Sequence, residues 1–159
     1  MTILRRAFIF ILLSVLTAVG LHAAAVKVGQ RFPALTDMQD QHEKAYPMPT
    51  GLRHVIVAYT MSSGKSANGY FADQKNAASF LPEHDALFIA NVYGMPAIGR
   101  FFAMPKMKKY PHRIMLADAE GLLDDFPQQE GRVTVFDLDA SGKITAIRYW
   151  DPKSEELTF

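Results

Sequence analysis

The stretch His54-Val55-Ile56-Val57-Ala58-Tyr59-Thr60, followed by Met61-Ser62-Ser63-Gly64-Lys65 and a helix-patterned run from Ser66, decides the fold. The first seven residues are rich in β-branched types and read as a buried strand. Residues 61–65 form a small polar turn. The spacing of Ala67, Tyr70, Phe71, Ala78 and Leu81 predicts a helix over 66–81, which Pro82 ends.

Working toward the C-terminus, residues 86–92 (ALFIANV) predict a second buried strand. A second helix follows over 97–110, with Ile98, Phe101 and Phe102 on one side and Pro105 as a break or kink. A short strand over 112–117 leads into an Asp118-Ala119-Glu120-Gly121 turn. Strands over 133–138 and 144–150 are joined by Asp139-Ala140-Ser141-Gly142 and form a hairpin. On the other side of the opening strand lies a lead-in over 27–44, with Gly29, Pro33 and a turn at Asp37-Met38-Gln39-Asp40. Strand, helix, strand, helix and hairpin together define an α/β fold, a mixed sheet with flanking helices.

Residues 1–25 read as a signal peptide and 26–159 as a single domain. Arg5 and Arg6 form the positive head, residues 7–21 the apolar stretch, and Ala23-Ala24-Ala25 the small residues for cleavage, most simply after Ala23. The alternative is an uncleaved anchor. The expected location is periplasmic or secreted, with no membrane contact once the leader is removed. The chain has 159 residues, 17 basic and 16 acidic, for a net charge of +1. Without the leader the balance is near −1 and no basic stripe remains, which argues against nucleic-acid binding.

The chain has no cysteine. Thiol nucleophiles, iron–sulfur clusters and thiolate metal sites are therefore excluded, and stability rests on core packing. No Gly-x-Gly-x-x-Gly follows a strand, and the histidines lack zinc spacing, so no cofactor or metal is expected.

The order of motifs resembles the peroxiredoxin and TlpA-like branch of the thioredoxin fold. The matching residues are Gly29-x-x-x-Pro33, the 54–60 strand, Tyr110-Pro111 followed by Asp118-Ala119-Glu120-Gly121, and Val133 to Asp137 running on to Gly142-Lys143-Ile144. A closer resemblance is to the small periplasmic YtfJ-type proteins. It rests on Gly29-Gln30-Arg31, Ser66-Ala67 and Lys108-Lys109-Tyr110-Pro111. The resemblance implies a thioredoxin-like mixed sheet. An ungapped match puts Gly64-Lys65-Ser66-Ala67 where the fold carries Cys-x-x-Cys, with an error of about one residue. Gly131 or Arg132 stands where the fold places a cis-proline, and a trans bond is expected there. Both halves of a redox site are missing, so thiol oxidoreductase and peroxidase activity are excluded.

The fold normally closes with a helix. Asp151-Pro152 starts one, with Glu155 and Glu156 in its first turn, but the sequence runs only to Phe159. The last helix is thus expected to be short or truncated. The sheet face near Ile147, Tyr149 and Trp150 would then be a contact for a second copy or an unknown protein partner.

Other motifs give weaker readings. Gly64-Lys65-Ser66 opens a helix after a strand, but the P-loop glycine five residues earlier is Tyr59. What survives is a small-anion or ligand site built from Ser62, Ser63, Gly64, Lys65 and Ser66, with Arg132 opposite. Gly64-x-Ser66-x-Asn68 imitates a nucleophile elbow and raises a hydrolase using Ser66 with a histidine among His42, His54, His84 and His112. Asp137-x-Asp139-x-Ser141-Gly142 imitates a calcium loop, but Arg148 replaces its glutamate, leaving a hairpin turn. Met95, Met104, Met107 and His112 raise a Met-based copper carrier or, alternatively, a core. Lys106, Lys108 and Lys109 read as a solvated helix end. The favoured expectation is a redox-inactive binding or scaffold protein.

Overall fold

The computed structural model describes residues 25–159. The leader and its cut lie outside these residues, apart from Ala25. The elements run β1 (Gln39–Asp40), β2 (His54–Ala58), α1 (Met61–Ala72), α2 (Phe80–Glu83), β3 (Ala86–Asn91), α3 (Ala97–Met107), β4 (Met115–Ala117), β5 (Val133–Leu138) and β6 (Ile144–Trp150). One six-stranded sheet has the order β1-β4-β3-β2-β5-β6. β2 and β3 are parallel, as are β3 and β4, whereas β5 runs antiparallel to β2 and forms a hairpin with β6.

The period-2 alternation of β2 assigns its residues to two cores. Val55 and Val57 face one layer with Leu87, Ile89, Phe136, Leu138 and Ile144. The lead-in covers this layer with Val26, Phe32, Leu35 and Met38, helped by Leu123 and Phe126. Phe32 sits edge-on to Phe126 and Phe136, at 5.6 and 5.2 Å between ring centres. Ile56 and Ala58 face the other layer, where Phe88, Val133, Val135 and Trp150 pack against Ala67 and Phe71 of α1.

Three predicted boundaries shift for local reasons. Of the turn expected at 37–40, Asp37 bends at φ 57°, whereas Gln39 and Asp40 form strand β1, where Asp40 is buried with an ion pair to Arg113 at 2.8 Å and takes the amides of His42 and Lys44 on Oδ1. The helix expected from Ser66 starts at Met61, because Thr60 caps it. It stops at Ala72 rather than at Leu81, and Pro82 falls in the first turn of α2, where its missing amide hydrogen has no carbonyl to serve. Pro105 lies inside the last turn of α3 without ending it.

The closing helix is reduced to one turn. Asp151 accepts from the Lys153 amide and the Ser154 hydroxyl, and its carbonyl takes the Ser154 and Glu155 amides. The tail then runs without helix across α1. Leu157 is buried, and its amide donates to the Tyr70 hydroxyl at 3.1 Å. Phe159 stacks on His84 at 4.1 Å and meets His54 edge-on at 5.1 Å.

Candidate functional site

The end of β2 delivers the chain to the start of α1. Thr60 Oγ1 accepts from the Ser63 amide at 3.1 Å, and Ser63 Oγ accepts from the Thr60 amide at 3.3 Å, forming a capping box. Ser66 Oγ donates to the Ser62 carbonyl at 3.1 Å. Among the described residues no histidine bonds Ser66. His54 bonds Asp137, His84 bonds the Phe80 carbonyl, and His112 bonds Asn68.

The expected anion site is therefore only partly assembled. Ser63 is buried in its own cap, and Ser66 is turned back on its helix. Arg132 is committed elsewhere: it pairs with Glu155 at 2.8 Å and donates to the Tyr149 carbonyl. The peptide bonds at Gly131 and Arg132 are trans. Gly64 and Lys65 do face a cleft, and it is the candidate site.

This cleft, of about 320 Å³, lies between the start of α1 and the length of α3. Its walls are apolar: Met61 from α1, Met95 before α3, and Phe102, Ala103 and Met107 along α3, over Ala90 and Val92 at the C-terminal end of β3. Cβ at Gly99 would lie 3.5 Å from Met61 Cε and 3.4 Å from Met95 Cγ, so both methionines pack close to the α3 backbone there. Lys65 and Lys106 stand at the rim, and Asn68, Asn91 and Tyr110 add polar groups. α3 is held in place by Arg100, which bonds Asp118 and the Val92 carbonyl, and by Lys108 on Glu43 at 2.9 Å just beyond its end. Ile98, Phe101 and Phe102 on α3 are exposed, Phe101 to 71%.

Beneath the cleft, His112 and Asn68 are both buried. His112 Nε2 lies 2.8 Å from Asn68 Oδ1. Its Nδ1 is buried without a partner. Burial pushes the imidazole down to about 4, so it is neutral near neutral pH. The neutral ring puts its proton on Nε2, donating to Asn68 Oδ1, and the amide nitrogen of Asn68 is left as a donor.

Of the four residues in the copper reading, Met95 and Met107 line the cleft, whereas Met104, packed against the core, and His112 do not. Among the described residues no three His, Asp or Glu side chains cluster to hold a metal. Asp139 accepts from the Ser141 amide and hydroxyl and the Lys143 amide, as a hairpin turn does. Ile147, Tyr149 and Trp150 do not share one sheet face, which corrects the expected contact. Trp150 packs at 4.8 Å on Tyr70 in one layer, with its indole N–H on the Glu155 carbonyl, whereas Ile147 packs against the opposite layer. The tail covers the first, and the lead-in the second. No helix among the described residues is long and apolar enough to cross a membrane.

Sequence reasoning found Lys65 and Gly64 but missed Asn68, Met61, Phe102 and Ala103. The available signal was Asn68 itself, a polar residue between Ala67 and Phe71 on the buried stripe of α1.

No protein-family model and no curated protein matches the chain. Solved structures do. The chain is similar to a protein disulfide isomerase candidate from Bacteroides thetaiotaomicron, at 15% identity over 79% of this chain and 82% of that one, with a TM-score of 0.51. It is similar to the thioredoxin domain of a thiol-disulfide oxidoreductase from Bacteroides vulgatus, at 14% identity over 77% and 89%, with a TM-score of 0.50. A thioredoxin candidate from Neisseria meningitidis matches at 14% identity over 80% and 84%, also at 0.50. The fold is thioredoxin-like. The sequence that adopts this fold contains no cysteine.

Proposed function

We propose that the chain is a redox-inactive binding protein of the periplasm, allied to the YtfJ-type proteins, that holds a small ligand between α1 and α3. The observation that carries the reading is the cleft itself. It sits where the helix after the first long strand begins, it is walled by apolar side chains, and two cations from different helices stand at its rim. Ligand sites of this kind are concave, mainly apolar and supplied with a few directed polar groups. The leader and the motif order support the compartment and the affiliation.

A hydrolase centred on Ser66 finds no support, since the hydroxyl donates to the Ser62 carbonyl and no histidine among the described residues bonds it. The test of the binding reading is the native mass of the protein recovered from the periplasm, for the natural chain and for Ala103→Trp. Ala103 lines the cleft from α3, and an indole there fills it. Extra mass on the natural chain that is lost from the variant supports the reading. The same added mass on both folded proteins, or none on either, counts against it.

A further inference from the structure

We propose that the occupant of the cleft is a single-chain carboxylate amphiphile, a medium-chain fatty acid anion. This inference rests on the binding reading above and specifies its ligand. The head is assigned first. Lys65 and Lys106 both face the cleft and neither forms an ion pair among the described residues, although Lys108, two residues on, is paired with Glu43. No Asp or Glu lines the cleft. Two lysines from separate helices bordering one apolar space repel each other, and an anion between them removes that cost. The same two charges disfavour a copper ion despite the thioethers of Met61, Met95 and Met107.

Asn68 adds direction. It is 3% exposed, and its carbonyl oxygen is held by His112 at 2.8 Å, so its orientation is locked. Its Nδ2 makes no hydrogen bond among the described residues, and Asn68 lines the cleft. A donor fixed in this way calls for an acceptor, and a carboxylate oxygen is one.

The tail follows from the walls. Met61, Met95, Met107 and Phe102 present flexible thioethers and one ring, which adapt to a chain without fixing its shape. At about 320 Å³ the space is at the small end of ligand sites, suited to a chain of roughly eight to ten carbons.

The experiment is calorimetric titration of the purified protein with decanoate, 1-decanol and butyrate below their aggregation limits. Expected is one decanoate per chain, with decanol (the same tail, no charge) and butyrate (the same head, little tail) each at least tenfold weaker. The pair Lys65→Met and Lys106→Met, both exposed positions, weakens decanoate about tenfold and leaves decanol unchanged. Ala103→Trp abolishes decanoate binding. No decanoate binding, equal binding of decanol, or indifference to the lysine pair overturns the inference. If the periplasmic protein instead carries a peptide or Cu(I) that Ala103→Trp displaces, the amphiphile assignment fails and the cleft reading stands. If Ala103→Trp leaves both the carried mass and decanoate binding unchanged, both fail.

Discussion

His112 Nε2 lies 2.8 Å from Asn68 Oδ1, and its other ring nitrogen, Nδ1, is buried without a partner. The ring is wedged between Tyr110, stacked at 5.4 Å, and Phe71, edge-on at 5.4 Å. Its proton affinity is lowered to about 4 by burial. The unfolded chain, with an ordinary histidine near 6.5, binds the proton more readily than the folded one. Stability is therefore full above the ordinary histidine range and is lost as pH falls from about 6.5 toward 4, by up to about 3 kcal/mol. Thermal unfolding followed between pH 7 and 4.5 should show this slope, and His112→Phe should flatten it. An unchanged slope in the variant would assign the acid sensitivity to other groups.

Asp137 couples β2 to the hairpin. Its carboxylate accepts from Arg148 through two contacts at 2.7 Å and lies 2.8 Å from His54 Nδ1. Burial alone would raise its acidity range, but the hydrogen bonds from Arg148 and His54 outweigh it and hold the carboxyl below the usual value. Its contribution is present above about pH 4 and is lost below it, as the folded-state carboxylate takes a proton. Asp137→Asn should cost about 1–2 kcal/mol at pH 7 in urea unfolding, because the Arg148 guanidinium loses its anionic partner. The cost should shrink as pH falls below the usual carboxylate range.

The hydroxyls at the start of α1 are predicted to be structural. Thr60→Ala removes the cap from the Ser63 amide and should lower stability by about 1 kcal/mol, which for a chain of this size is about 3 °C in Tm. Ser66→Ala should change stability by less than about 0.5 kcal/mol, since only a back-bond to Ser62 is lost. A hydrolytic activity that depends on Ser66 would overturn the assignment.

The tail is predicted to act as a lid over the sole tryptophan. Trp150 is 3% exposed and lies under residues 155–157. Ending the chain after Asp151 should shift its fluorescence to longer wavelength and open it to acrylamide quenching. Leu157→Ala, which leaves the tail in place, should cost about 2 kcal/mol. A tail deletion with unchanged emission would mean that another segment shields the indole.

Much of the architecture was legible because the strands obey a simple rule. β5 and β6 fall where the alternating and β-branched runs place them, and the hairpin turn at 139–142 follows from its residues. The start of α1 was misplaced because a threonine cap draws four polar residues, Met61 apart, into the helix, and capping is a contact rather than a periodicity. The candidate site was harder to read. Lys65 and Lys106 come from helices separated by β3, and nothing in their local sequence says that they border one space. Trp150 and Tyr149 are adjacent in sequence, yet the pleat of β6 sends them to opposite faces, and the lead-in that covers Ile147's side comes from the far end of the chain.

The lead-in has a consequence for the order in which the protein can fold. Gly29 donates to the Ile144 carbonyl, Ile144 donates back to Gln30, and Phe32 donates to Gly142. These contacts close a loop that spans nearly the whole described chain, and such closures are entropically late and slow. One face of the sheet, including Phe136 and Leu138, cannot be sealed until the final hairpin has formed and the earliest described residues have returned to it. A chain emerging from its N-terminus thus stays unfinished, with Phe32 and Leu35 exposed, until its last strand arrives.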